Sequence, residues 1–144
     1  MKGNNNKPSF VILYDQLRWE EKSLIESAKK NDINLEVINC RENSIDLDED
    51  KSNYRDDIIL QRCVSYYNNL HSTAAFEGLG AKVINSLHTA IMCGNKLFTH
   101  MELSKSDIAI PKAFCAFSNQ SAMGILSKNG YPMVIKPVVG SWEE

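Results

Sequence analysis

Four short apolar runs, set apart by helical or polar sequence, constrain this chain more than any other feature. The first, "PSFVILYD", is continuously apolar, which marks a strand buried on both faces. From Leu17 to Lys30 the apolar residues Leu24, Ile25 and Ala28 share one helical face and charges fill the other, and Asn31-Asp32 ends the helix. "INLEVINC" reads as a second strand, "DIILQRC" as a third and "AKVIN" as a short fourth. The stretch "RENSIDLDEDKSNYRD" is acidic and nearly coreless, which predicts a surface loop. A helix is expected from about Tyr67 to Leu79, closed by Gly80 in a left-handed cap. Buried strands separated by helices or a long crossover pair in parallel, with helices on both faces of the sheet.

The pattern changes near residue 90. Ser86 caps an expected helix from Leu87 to Cys93, and another runs from Asn95 to about Lys105. "AIPKAFCAF" alternates as a strand, with Pro111 fitting its start. Ser118 caps a helix from Asn119 to Lys128, which Gly130 ends, and "PMVIKPV" reads as the last strand. The organisation expected is a disordered polar leader over 1–8, an α/β domain over 9–90 and the start of a second unit over 91–144. No internal repeat is visible.

Composition excludes several function classes. Hydrophobic content of 43% with mixed charge is that of a globular chain, and a net charge of −2 gives no electrostatic footprint for nucleic acid or an anionic membrane. No apolar run approaches a membrane span, and "MKGNNNKPS" lacks the apolar core of a signal peptide, so a cytoplasmic location is expected. Cys40, Cys63, Cys93 and Cys115 never form C-x-x-C and read as small apolar residues in a reducing compartment. His71, His88 and His100 have no ligand spacing, so no metal site is expected, and the acidic loop lacks the glycine and residue order of a calcium loop.

Two lysines carry the chemistry. Lys136 interrupts the apolar "MVIKP", and a lysine in a strand is costly to bury unless it meets an anion. Gly140-Ser141 follows, a loop whose backbone N–H groups can approach phosphate oxygens. Lys96 lies early in a helix after Gly94. Each alone reads as readily as an edge-strand or solvated-helix lysine; together they suit one polyphosphate. Arg62, Cys63 and Ser65 end the third strand, where open parallel sheets bind ligands; a loop simply packed on the sheet fits them as well. Cys63 has no base nearby in sequence to activate it, so no catalytic residue is assigned.

The stretch "NSLHTAIMCGNKLFTHMELSKSDIAIPKAFCAF…NGYPMVIKPVVGSW" resembles the opening of an ATP-grasp ligase. "VILYDQLRWEEKSLIESA", "LQRCVSYYNNLHSTAAFEGLGAKVIN" and "PVVGSW" narrow the resemblance to the LysX/ArgX branch, related to RimK. It implies a Rossmann-like pre-ATP-grasp domain followed by the incomplete start of an ATP-grasp domain. It implies Lys96 and Lys136 on the nucleotide phosphates, with Gly140, Ser141 and Trp142 beginning the closing loop, and it makes Arg62, Cys63 and Ser65 candidates to line a substrate cleft. It also implies an ATP- and magnesium-dependent ligase of lysine or arginine biosynthesis, which joins 2-aminoadipate or glutamate to the acidic carrier LysW through an acyl phosphate. Asn95 stands where many relatives carry Asp, and Glu143-Glu144 stands where they continue Gly-Arg. The part beyond supplies the adenine pocket and the magnesium ligands, so the chain alone is expected to be inactive and to hold ATP weakly or not at all. Its last strand, lacking a partner, is expected to self-associate. A different class of function, a non-catalytic α/β binding or assembly domain, competes with the ligase, as does another RimK-like ligase.

Overall fold

β1 (Phe10–Tyr14) lies inside a four-stranded parallel sheet of order β2-β1-β3-β4, with β2 at Leu35–Asn39, β3 at Ile58–Gln61 and β4 at Lys82–Ile84. The computed structural model describes residues 10–48, 50 and 54–140, so the expected leader lies outside the described residues. The chain divides into two compact units, Met1–Ile91 and Met92–Glu144.

In the first unit the register pairs Val11 with both Glu36 and Ile59, and Ile59 with Val83. Val11, Leu13, Ile59 and Val83 therefore share one face, where Phe76 and Ala81 join them in the buried cluster. Ile12 points to the other face and is also fully buried, the burial on both sides that the unbroken run in β1 requires. α1 (Trp19–Lys30) connects β1 to β2, and α2 (Tyr66–Gly78) connects β3 to β4. The residue after α2's cap, Gly80, takes φ 94°, a left-handed value that glycine adopts at no steric cost.

Two readings of this unit need correction. The acidic loop between β2 and β3 is not coreless: Ile45 and Tyr54 pack against the buried cluster, Tyr54 edge-on to Phe76 at 5.6 Å between ring centres. Nor is the charged face of α1 wholly solvated. Glu21 is fully buried there, whereas Leu24, assigned to the apolar face, is exposed.

The second unit holds the end of α3 (Leu87–Gly94), α4 (Lys96–Leu103) and α5 (Asn119–Asn129). α5 begins in a capping box, with Ser118 Oγ accepting from Ser121 N at 3.1 Å and Ser121 Oγ accepting from Ser118 N at 3.2 Å. The expected strands "AIPKAFCAF" and "PMVIKPV" are not strands here; among the described residues the pairing in this unit is one antiparallel bridge between Asn95 and Val139. A strand exists only where a neighbour takes its backbone hydrogen bonds along its length; among the described residues the second segment meets one only at its end, where Val138 O accepts from Lys96 N, and the first meets none.

Candidate functional site

The carboxyl ends of β1 and β3 lie side by side, and β1 leads toward one edge of the sheet while β3 leads toward the other. In open parallel sheets this switch point opens a crevice beyond the strand ends. Here two loops leave it, Asp15–Arg18 after β1 and Arg62–Ser65 after β3, and two buried carboxylates tie them together.

Asp15 accepts from Val64 N at 2.8 Å, Ser65 N at 3.0 Å and Asn68 Nδ2 at 3.0 Å. Ser65 caps α2, so Asp15 sits against donors that open that helix. Burial acts to raise the Asp15 pKa, but the backbone donors of Val64 and Ser65 and the Asn68 amide outweigh it and hold the carboxyl below its ordinary value.

Glu21 is the second tie. At the third position of α1 it accepts from Arg18 N at 3.1 Å, closing the helix start. Arg18 also donates Nε at 3.2 Å and Nη2 at 3.1 Å, while Arg62 donates Nε at 3.0 Å and approaches with Nη2 at 3.0 Å. Burial would raise the Glu21 pKa; the Arg18 and Arg62 hydrogen bonds prevail and hold it at about 2. A buried anion is tolerable only with such pairing.

Gln61 fixes the rest of the β3 end. Its Nε2 donates to Ser72 Oγ at 2.9 Å and Thr73 Oγ1 at 3.0 Å, and its Oε1 accepts from Cys63 N at 2.9 Å. Cys63 Sγ lies 3.5 Å from Cys40 Sγ, a juxtaposition that cysteine spacing in the sequence did not disclose. Burial, then the Cys40 thiol, pushes the Cys63 pKa well up, so the thiol stays protonated and is a poor nucleophile.

Of the residues singled out in the sequence, Arg62, Cys63 and Ser65 thus fall together at this edge. Sequence reasoning missed Asp15, Glu21, Gln61 and Cys40. The available signal was an acid directly after an apolar strand, at the end where parallel sheets bind ligands.

In the second unit, Asn95 caps α4, its Oδ1 accepting from Leu97 N at 3.0 Å and Phe98 N at 3.1 Å. Lys96 N donates to Val138 O at 2.8 Å, and Lys96 Nζ donates to Gly140 O. Lys96 is therefore joined to the segment that Lys136 begins. Both ammonium groups are exposed, and Gly140 takes φ 113°, open only to glycine without strain. Ser141 and Trp142 lie outside the described residues. Among the described residues no group of three His, Cys, Asp or Glu side chains could hold a metal ion, and no helix is long and apolar enough to cross a membrane.

Residues 10–92 match the family model described as the LysX preATP-grasp domain. The chain belongs to this LysX family. It is 39% identical over 133 residues to an alpha-aminoadipate–LysW ligase LysX from Sulfurisphaera tokodaii, covering 91% of this chain and 47% of that protein. It is 40% identical over 130 residues to the LysX of Saccharolobus solfataricus, covering 87% and 46%, and 31% identical over 132 residues to the glutamate–LysW ligase ArgX of Sulfurisphaera tokodaii, covering 92% and 46%. This LysX-family chain spans about half the length of the curated relatives it matches. A RimK-domain ATP-grasp protein from Sphaerobacter thermophilus shares the fold, at a TM-score of 0.71 and 19% identity over 92% of this chain and 50% of that one.

Proposed function

We propose that this chain is the N-terminal part of an ATP-dependent ligase that joins an amino acid to a LysW-like acidic carrier protein in lysine or arginine biosynthesis. The observation that carries the reading is the match of residues 10–92 to the LysX preATP-grasp domain, together with relatives named as LysW ligases. Higher identity to the LysX relatives than to ArgX favours 2-aminoadipate over glutamate as the amino acid.

The chemistry asked of the chain is partial. A carboxylate is a poor electrophile, and ATP makes it one by forming an acyl phosphate that the amine then attacks. Lys96 and Lys136 would carry positive charge to the nucleotide phosphates, and the loop from Gly140 through Ser141 and Trp142 would bring backbone N–H groups to them. The residues fit the phosphate end of ATP: two exposed ammonium groups, one already fastened to the Gly140 carbonyl. They include no acidic cluster for magnesium among those described, so the ion's ligands are assigned to the part of the relatives that this chain does not match. The chain alone is then inactive and a weak ATP binder. The exposed apolar segment Val134-Ile135, at 80% and 79%, is the surface assigned to self-association, and the setting is the cytoplasm.

The test is ligation itself. The longer protein that contains this chain, given ATP, magnesium, 2-aminoadipate and the carrier, should add one aminoadipyl mass to the carrier. No mass gain with 2-aminoadipate, with glutamate or with any other amino acid would overturn the reading. Light scattering on the 144-residue chain tests self-association separately, and a monomer at high concentration rejects it.

A further inference from the structure

The loops at the carboxyl edge of the sheet pose a question of their own. Glu21 is 0% exposed, yet its two oxygens serve two guanidinium groups. One carboxylate cannot neutralise both. Asp15 adds negative charge near Arg18 but contacts neither guanidinium, since its oxygens are taken by Val64 N, Ser65 N and Asn68 Nδ2. Arg18 has a further acid at its side, Glu20 at 3.7 Å. Arg62 has no second carboxylate among the described residues.

The geometry of the pairing matters as much as the charge. Arg62 turns its Nε and Nη2 edge to Glu21, and Arg18 turns the same edge. A guanidinium is a planar fork with five N–H donors, so each retains Nη1 for another acceptor. Both side chains are partly open to solvent, Arg18 at 40% and Arg62 at 33%. The carboxylate beneath them removes much of the entropy that a free arginine loses on binding. Gln61 and Asp15 hold the backbone on either side of Cys63, so the Arg62 loop is not free to turn away.

The geometry points to Arg62, with Arg18 beside it and Glu21 orienting both, as a receptor for a carboxylate ligand at the carboxyl edge of the sheet. This rests on the ligase reading for its choice of carboxylate: the proposed amino acid and the acidic carrier both carry that group. Glu21 is a positioning residue, since it acts through the two arginines.

The closing experiment follows the Arg62 and Arg18 Nε–Hε resonances of the 15N-labelled 144-residue chain without ATP. The probes are 2-aminoadipate and, in a second arm, a short peptide ending in glutamate; sodium chloride at matched ionic strength is the reference. Saturable shifts at Arg62 with either probe support the inference, and the tighter arm names the source. Arg62→Gln should weaken that binding about tenfold or more, as loss of a charge-assisted hydrogen bond does. Arg62→Lys should recover part of it through charge alone, and the remote Lys105→Gln should leave it unchanged. No saturable shift at either arginine, equal shifts from chloride, or binding untouched by Arg62→Gln would overturn the inference. In the longer protein, Arg62→Gln should raise the KM of the carboxylate substrate more than it lowers kcat. Normal ligation with an unchanged KM would remove this site and leave the ligase reading standing. Absence of ligation in the unaltered protein would remove the ligase reading, while the resonance titration still judges the site.

Discussion

The two units of this chain use similar residues to different ends. In the first, Val11, Ile12, Leu13, Ile59, Phe76, Leu79 and Val83 are all buried, and the sheet closes around them. In the second, no described residue is buried, although Phe117, Val134 and Ile135 are as apolar as anything in the core. The difference is not one of hydrophobicity. A sheet supplies backbone partners and a surface at once, so each buried strand helps to bury the next. Helices such as α4 and α5 satisfy their own backbone and can form beside a segment that joins no sheet.

Cutting one side chain from each unit separates the two most strongly. Ile59→Ala should destabilise the first unit by about 2–5 kcal/mol, through lost transfer energy and the cavity left behind. Ile135→Ala should change stability by no more than about 0.5 kcal/mol, as exposed substitutions do. Urea denaturation followed by tyrosine fluorescence measures both, and equal effects would show that the second unit has a core of its own.

Glu21→Gln comes next, at about 3 kcal/mol, because it leaves buried donors facing a neutral amide. This carboxyl has a lowered pKa in the fold. Its stabilisation is therefore full above the ordinary value of 4.5 and is lost as pH falls toward about 2. Acid titration of the native chain should show the first unit weakening across that window, and Glu21→Gln should flatten that part of the curve. An unaltered acid limb would separate Glu21 from the pH response.

Ser118→Ala removes the α5 cap and should cost that helix about 1 kcal/mol. Hydrogen exchange resolves where the loss falls: faster exchange at Ala122 and its neighbours, with β1 amides unchanged. Spread of the effect into β1 would mean that the two units fold as one. The smallest effect belongs to Glu102→Gln, whose pair with Lys105 is exposed on both sides. It should alter stability by less than about 0.5 kcal/mol, and less again in high salt.

Much of the first unit was legible in the sequence. A strand buried on both faces favours apolar residues on each, so β1 appears as an unbroken apolar run and β3 as one that ends at the hydrogen-bonded Gln61. The cap of α5 was legible for a similar reason: Ser118 acts on backbone only three residues away. Lys96 and Lys136 stood out by pattern and resemblance, and Arg62 by its place after a strand.

What the sequence determined by itself was therefore whatever depends on neighbours along the chain: the strand and helix segments of the first unit, the helices of the second and the family. Tertiary structure alone decided the matters that depend on distant partners. Glu21 looks like any solvated helix acid until Arg62, 41 positions away, comes to meet it. Asp15 looks like a loop residue until Val64 and Ser65 turn their N–H groups on it, and the Cys40 and Cys63 thiols become neighbours only when β2 and β3 flank β1. The segments 109–117 and 132–138 show the converse, since both carry strand-like sequence and neither is a strand. A strand's hydrogen bonds point sideways to another segment, so no pattern within it can supply the partner.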